Sequence, residues 1–227
     1  RQSGLDRVLS FVFETVNELG DLTTVTLVAE IMGRHSNLIL TDAGGRILDA
    51  IKRVSDEVSS VRTVLPGGTY QAPPGQDKIN LLEEEDGPVM ARIFSARTPD
   101  CAKAVMQALS GVSPVLAREL VFRALKGQDI ETGQLSGYYK NRLREEVAKL
   151  RETLRTGKAA FTAVSDEEKR IREFTLCDIE QYGAVKEKRR YESPSALLDH
   201  FYAERDRVAR MKQRSHDLLK LLVNTTD

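Results

Sequence analysis

Apolar and polar positions alternate over the first fifty residues, then shift to a helical period. Residues 7–16, Arg-Val-Leu-Ser-Phe-Val-Phe-Glu-Thr-Val, are rich in β-branched and aromatic side chains and predict a strand. Residues 17–21 contain Gly20 and read as a turn. In 23–32, Val25, Leu27, Ala29 and Ile31 alternate with Thr24, Thr26, Val28 and Glu30, which predicts a second strand. Residues 33–36 interrupt the pattern, and 37–41 form a third strand. Asp42-Ala43-Gly44-Gly45 is a hairpin turn, because glycine accepts the positive φ such turns need. A fourth strand over 46–54 completes an antiparallel meander.

Pro66-Gly67-Gly68 and Pro73-Pro74-Gly75 mark loops. Asn80 caps a short helix or linker, and the acidic run 83–86 reads as a solvated turn at a domain boundary. Cys101, Val105, Ala108 and Leu109 share a helical face; Ser110-Gly111-Val112-Ser113-Pro114 breaks it. Ser113 is a good N-cap and Pro114 suits the first helical position. Leu116, Leu120, Phe122 and Leu125 carry the next helix, which Lys126-Gly127 ends. Residues 138–154 predict a third helix with Leu143, Val147, Leu150 and Leu154 on its stripe. Residues 160–164 and 172–179 predict short strands that return the chain to the first sheet. Ser193-Pro194 caps a final helix over 196–223, with Leu198, Phe201, Val208, Met211, Leu218, Leu219 and Leu222 on its apolar side. The expected class is α+β. A β-rich unit spans 1–86, a helical unit 87–158, returning strands 159–192, and the root of a coiled coil 193–227.

Composition sharpens this picture. The chain has 227 residues, 41% hydrophobic and 30% charged, which excludes a disordered or collagenous class. Its longest apolar runs, such as Leu38-Ile39-Leu40, are far short of a membrane span, and no secretory signal pattern is visible. Cys101 and Cys177 make neither a zinc knuckle nor a disulfide framework, and they suit a reducing compartment. The 34 Lys+Arg balance 34 Asp+Glu, but unevenly. Residues 1–100 are net −5, residues 101–160 are net +5, and the rest is neutral. Such polarity suggests two surfaces with different partners. Because a strand is already under way near Arg1, the chain reads as a fragment of a longer protein.

Three groups of residues carry candidate chemistry. Gly111, Val112 and Ser113 lie between two predicted helices. A glycine there lets backbone amides face outward at a helix N-terminus, where a phosphate is favoured; the bland alternative is a packing corner. The basic excess of 101–160 favours phosphate. Glu30-Ile31-Met32-Gly33-Arg34-His35-Ser36-Asn37 places acid, base, imidazole and amide on a predicted bend between strands. No Ser-His-Asp set accompanies His35, so recognition of an RNA backbone or base edge is favoured over general acid–base catalysis. The pairs Asp6-Arg7 and Lys52-Arg53 fall at strand ends and by themselves read as surface charge.

Residues 30–40, Ile51-Lys52-Arg53-Val54, Leu65-Pro66-Gly67 with Tyr70 and Pro73-Pro74, and Glu204-Arg205-Asp206-Arg207-Val208 together resemble the NFACT family. The resemblance implies a first domain similar to that of formamidopyrimidine-DNA glycosylase, then a helix-hairpin-helix domain and a coiled coil. It implies a non-enzymatic factor of ribosome-associated quality control. Such a factor binds obstructed large ribosomal subunits through rRNA and recruits charged tRNA for template-free tailing of stalled chains, with alanine in bacteria. It implies a cytoplasmic, ribosome-associated location and no cofactor. Asp6 and Arg7 match the family's tRNA-recognition pair, with Asp6 expected to orient the Arg7 guanidinium. Glu30, Met32, Arg34, His35, Asn37, Lys52 and Arg53 join them as expected tRNA contacts, and Gly111, Val112 and Ser113 as a phosphate-binding hairpin. Family naming carries one alternative, a fibronectin-binding surface adhesin. The glycosylase-like fold carries another, DNA repair, against which stands the lack of a four-cysteine zinc site.

Overall fold

The computed structural model describes residues 1–2, 4–184 and 187–225. The chain divides into two compact units, one of residues 1–84 with 108–111, the other of 85–107 with 112–227.

The first unit is a four-stranded antiparallel meander in the order β1-β2-β3-β4: β1 Val8–Val16, β2 Leu22–Glu30, β3 Asn37–Thr41 and β4 Ile47–Ala50. Side chains make the turns. Asn17 Oδ1 accepts from the amides of Leu19 and Asp21 at 2.9 and 2.8 Å, and Gly20 takes φ +87°. Asp42 Oδ1 does the same for Gly44 and Arg46 at 2.9 and 2.8 Å. These Asx turns close the hairpins with local bonds. One face of the sheet buries Val28, Ile39 and Ile47 under Val64, with Val8, Ala50, Val54 and Tyr70 around them. On the other face Phe11 and Phe13 lie opposite Leu27 and Val25, and Leu27 opposite Leu40. That face is apolar too, yet Phe11 and Phe13 stay 48% and 50% exposed. Strand β4 is shorter than the predicted 46–54. After Ala50 the amide of Ile51 makes one more bond, to the Leu38 carbonyl at 3.0 Å, and the Asn37 side chain then takes over the backbone of Lys52.

Among the described residues the second unit holds five α-helices and a second sheet. Helices are α1 Asp86–Phe94, α2 Cys101–Ala108, α3 Pro114–Leu125, α4 Gly137–Thr156 and α5 Pro194–Thr225. Strands are β5 Phe161–Ser165, β6 Ile171–Thr175 and β7 Glu187–Tyr191, in the order β6-β5-β7. Helix α1 occupies part of the stretch expected as a boundary turn. Its Asp86 suits the positive end of the helix and pairs with Arg151, while Val89, Met90 and Ile93 are buried. Ser113 Oγ caps α3 by accepting from Leu116 N at 3.3 Å, with Pro114 at the first position as expected.

The strands of 159–192 do not return to the first sheet. Strand β5 pairs with β6 on one edge and β7 on the other, so local partners satisfy both of its edges. Successive residues of β5 serve two cores. Val164 packs with Val115 and Ile179, and Ala163 with Ile171 and Leu197. Helix α5 thus covers one side of this sheet through Leu197 and Phe201. Further along, Met211 and Leu218 are exposed; the side chains of Leu219 and Leu222, expected on the same stripe, lie outside the described residues. Glu119 is fully buried yet fully answered, accepting from Arg123 Nε at 2.7 Å and from the amides of Glu180 and Gln181 at 2.9 and 3.1 Å.

Candidate nucleic-acid interface

One end of the first sheet gathers most of the expected contact residues. The amide of Ile31 donates to the Arg7 carbonyl at 2.8 Å, which seats Asp6-Arg7 beside the segment leaving β2. Gly33, at φ +60°, turns that segment into a single 3-10 turn, Gly33–His35. The turn is tied at its base: Met32 N donates to Ser36 Oγ at 2.9 Å and His35 N to Met32 O at 3.1 Å. Arg34 and His35 project from it, exposed, and Arg34 Nε donates to His35 Nε2 at 2.9 Å. Arginine has no acceptor, so Nε2 is the accepting atom of this bond.

Lys52 reaches the same turn. Its Nζ donates to the Arg34 carbonyl at 3.0 Å. Its backbone is clamped by Asn37, whose Oδ1 accepts from Lys52 N at 2.9 Å and whose Nδ2 donates to Lys52 O at 2.8 Å. Arg53 pairs with Asp49 at 3.2 Å, both exposed, and Asp49 is held below the usual carboxylate range by the Ala50 amide and by Arg53. Arg7, Arg34, Lys52 and Arg53 therefore present four exposed cations at one end of the sheet.

Two expected contacts lie beneath this surface. Asn37 is buried, with both ends of its amide used on Lys52. Glu30 is buried on β2 and grips Arg62 with both oxygens, one at 2.8 Å. Tyr70 Oη donates to the same carboxylate at 3.0 Å. Burial, then the Glu30 charge, push the Tyr70 phenol up to about 12, and the bond to Glu30 raises the Arg62 guanidinium above its ordinary value. Glu30 and Asn37 thus support the turn and leave contact to Arg34, His35 and Lys52, while Met32 is half-buried between the two groups. Asp6 and Arg7 are both exposed, and among the described residues no ion pair joins them. Arg62 and Tyr70 were not among the expected site residues; Arg62 lies 32 positions from the carboxylate it answers.

The hairpin residues divide between the two units. Gly111 takes φ +73°, as its turn requires, and a Cβ there would sit 2.9 Å from the Leu5 Cβ. Ser110 anchors the turn, its amide and hydroxyl both donating to the Ile79 carbonyl at 2.9 and 3.1 Å. Val112 is half-buried, and the Ser113 hydroxyl is spent on capping α3.

Other chemistry is sparse. Among the described residues no three His, Cys, Asp or Glu side chains are grouped to hold a metal, and no helix is long and apolar enough to cross a membrane. Burial pushes the Cys177 thiol up to about 11, far from a reactive thiolate.

An antiparallel sheet ending in four exposed cations, followed by a helical unit with its own small sheet, defines the chain as an α+β protein with a basic cluster at one end of its first sheet. It belongs to the family described as NFACT N-terminal and middle domains, which matches residues 1–227. The chain is 38% identical over 234 residues to the Rqc2 homolog RqcH of Bacillus subtilis (strain 168), covering 98% of this chain and 36% of that protein. It thus spans about a third of the length of that relative. The fibrinogen binding protein from Staphylococcus aureus has a similar structure, with TM-score 0.68 and 27% identity over 89% of this chain and 68% of that one. The N-terminal part of the fibronectin/fibrinogen-binding protein from Streptococcus suis matches at TM-score 0.63 and 28% identity, over 90% of this chain and 66% of that one.

Proposed function

We propose that the chain is the tRNA-recruiting part of a ribosome-associated quality-control factor that works in the cytoplasm on obstructed large subunits. In this reading the factor binds rRNA and a charged tRNA and supports template-free tailing of the stalled chain, with alanine in bacteria; it catalyses no bond change with its own side chains. The carrying observation is the convergence of Arg7, Arg34, His35 and Lys52 at one sheet end, where Glu30 closes β2 in its pair with Arg62. Cations on a rigid backbone meet phosphates, and a guanidinium beside an imidazole edge offers donors to an exposed base. Kinship with a protein named Rqc2 homolog RqcH supports the choice of partner.

The test is recovery of tRNA and large subunits on the full-length protein. Arg7→Ala with Arg34→Ala should abolish tRNA recovery while the thermal transition stays in place. Unchanged tRNA recovery sinks the assignment of this end. The names of two similar structures favour a second reading, binding of fibrinogen or fibronectin. Salt-sensitive binding to large subunits without binding to fibronectin supports the first reading; the reverse supports the second.

A further inference from the structure

Part of the basic surplus of residues 101–160 is neutralised within the second unit. Arg118 meets Glu173 at 2.5 Å, Arg123 meets Glu119 at 2.7 Å, Lys149 meets Glu146 at 2.7 Å, and Arg151 pairs with Asp86. Lys126, Lys140 and Arg142 enter no ion pair among the described residues and lie against rings instead. Lys126 Nζ is 5.7 Å from the Tyr138 centroid, Arg142 Cζ is 5.9 Å from the same centroid, and Lys140 Nζ is 5.3 Å from that of Phe94. The Arg142 guanidinium donates to the carbonyls of Ala124 and Arg123 at 2.9 and 3.0 Å, which fixes its position without cancelling its charge. Tyr138 is braced edge-to-face by Tyr139 at 5.2 Å and remains 54% exposed. A bond from Lys126 holds its phenol below the ordinary range, as a positive surround should.

Two uncancelled cations at a braced, half-exposed aromatic ring, with a third, Lys140, two residues along the same helix against Phe94, match single-stranded nucleic acid, which offers both a phosphate and a π-face. An acidic peptide would use the charges and leave the ring without a partner. We infer that Tyr138, Lys126, Lys140 and Arg142 form a second RNA contact, with phosphodiesters on the cations and an unstacked base against Tyr138. The inference takes its partner class from the proposed function but uses none of the sheet-end residues.

The experiment titrates full-length protein into a short labelled polyuridine RNA at several salt concentrations. Tyr138→Ala should weaken binding about tenfold and Tyr138→Phe should retain it, since stacking needs the ring and not the hydroxyl. Lys126→Ala with Lys140→Ala should reduce the slope of log affinity against log salt by about 0.7 for each cation removed. That pair also decides the matter if Tyr138→Ala fails to fold. No binding by the wild type, unchanged binding by these variants, or displacement of the RNA by polyglutamate at equal charge would overturn the inference. Large-subunit binding is measured in parallel. Loss of that reading with Tyr138-dependent RNA binding intact removes the proposed function alone. Subunit binding with Tyr138-independent RNA binding removes this inference alone.

Discussion

Arg62 answers Glu30 across 32 residues of sequence, closing an ion pair at the end of β2, just before the turn that carries Arg34 and His35. The carboxylate is wholly enclosed, whereas the guanidinium keeps an edge in water. The pair is therefore asymmetric. Arg62→Ala strands a buried charge and should cost about 3–5 kcal/mol. Glu30→Gln leaves a cation that can still reach solvent and should cost less, about 1–3 kcal/mol. Urea denaturation of both variants checks the order; equal costs would count against the asymmetry.

Tyr70 completes that cluster and gives it an alkaline limit. Its phenol titrates near 12 in the fold against 10 in the unfolded chain. A raised folded value means that the contribution is fully present below pH 10 and lost as the pH climbs through about 12. Stability should fall over that window. Tyr70→Phe should lose part of this alkaline slope, since it has no proton to release. Denaturation midpoints on either side of the window measure it, and an identical slope in the variant would place the titration elsewhere.

The two faces of the first sheet should respond differently to truncation. Ile39 is fully buried, so Ile39→Ala should cost about 2–5 kcal/mol. Phe11 and Phe13 are half exposed, and replacing either by Thr should cost about 1 kcal/mol or less while lowering binding of a hydrophobic dye. Unchanged dye binding in the double variant would show that these rings do not form the accessible apolar surface.

Local signals made the meander legible. Alternation of Val25, Leu27 and Ala29 and the turn residues Asp42 to Gly45 act within a few positions, so the sequence carries them openly. The cap at Ser113 is legible for the same reason. Strand β7 is not, because Glu-Lys-Arg-Arg-Tyr has no apolar alternation; as an edge strand it needs little, and charge there discourages further pairing. The stretch leading into α1 hides behind an acidic run that looks like a linker. In the candidate site, Arg34, His35 and Lys52 are legible as exposed polar residues near a bend. The burial of Glu30 and Asn37 is not, since their partners Arg62 and Lys52 arrive from distant loops.

Gly111 and Gly20 separate two costs that are usually mixed. Both have positive φ, +73° and +87°. An alanine at Gly20 would meet nothing within 4 Å and should cost only the backbone strain, about 1–2 kcal/mol. An alanine at Gly111 incurs the same strain and also drives its Cβ to 2.9 Å from that of Leu5, so Leu5 or the turn must shift. Gly111→Ala should therefore destabilise by about 1–3 kcal/mol more than Gly20→Ala. Leu5→Gly combined with Gly111→Ala should be less harmful than the two single costs added together, because glycine at position 5 removes the Cβ that the new methyl meets at 2.9 Å. A double-mutant cycle in urea measures that coupling. Strict additivity would mean that Leu5 does not restrict the Gly111 turn, and that the glycine is required for its φ alone.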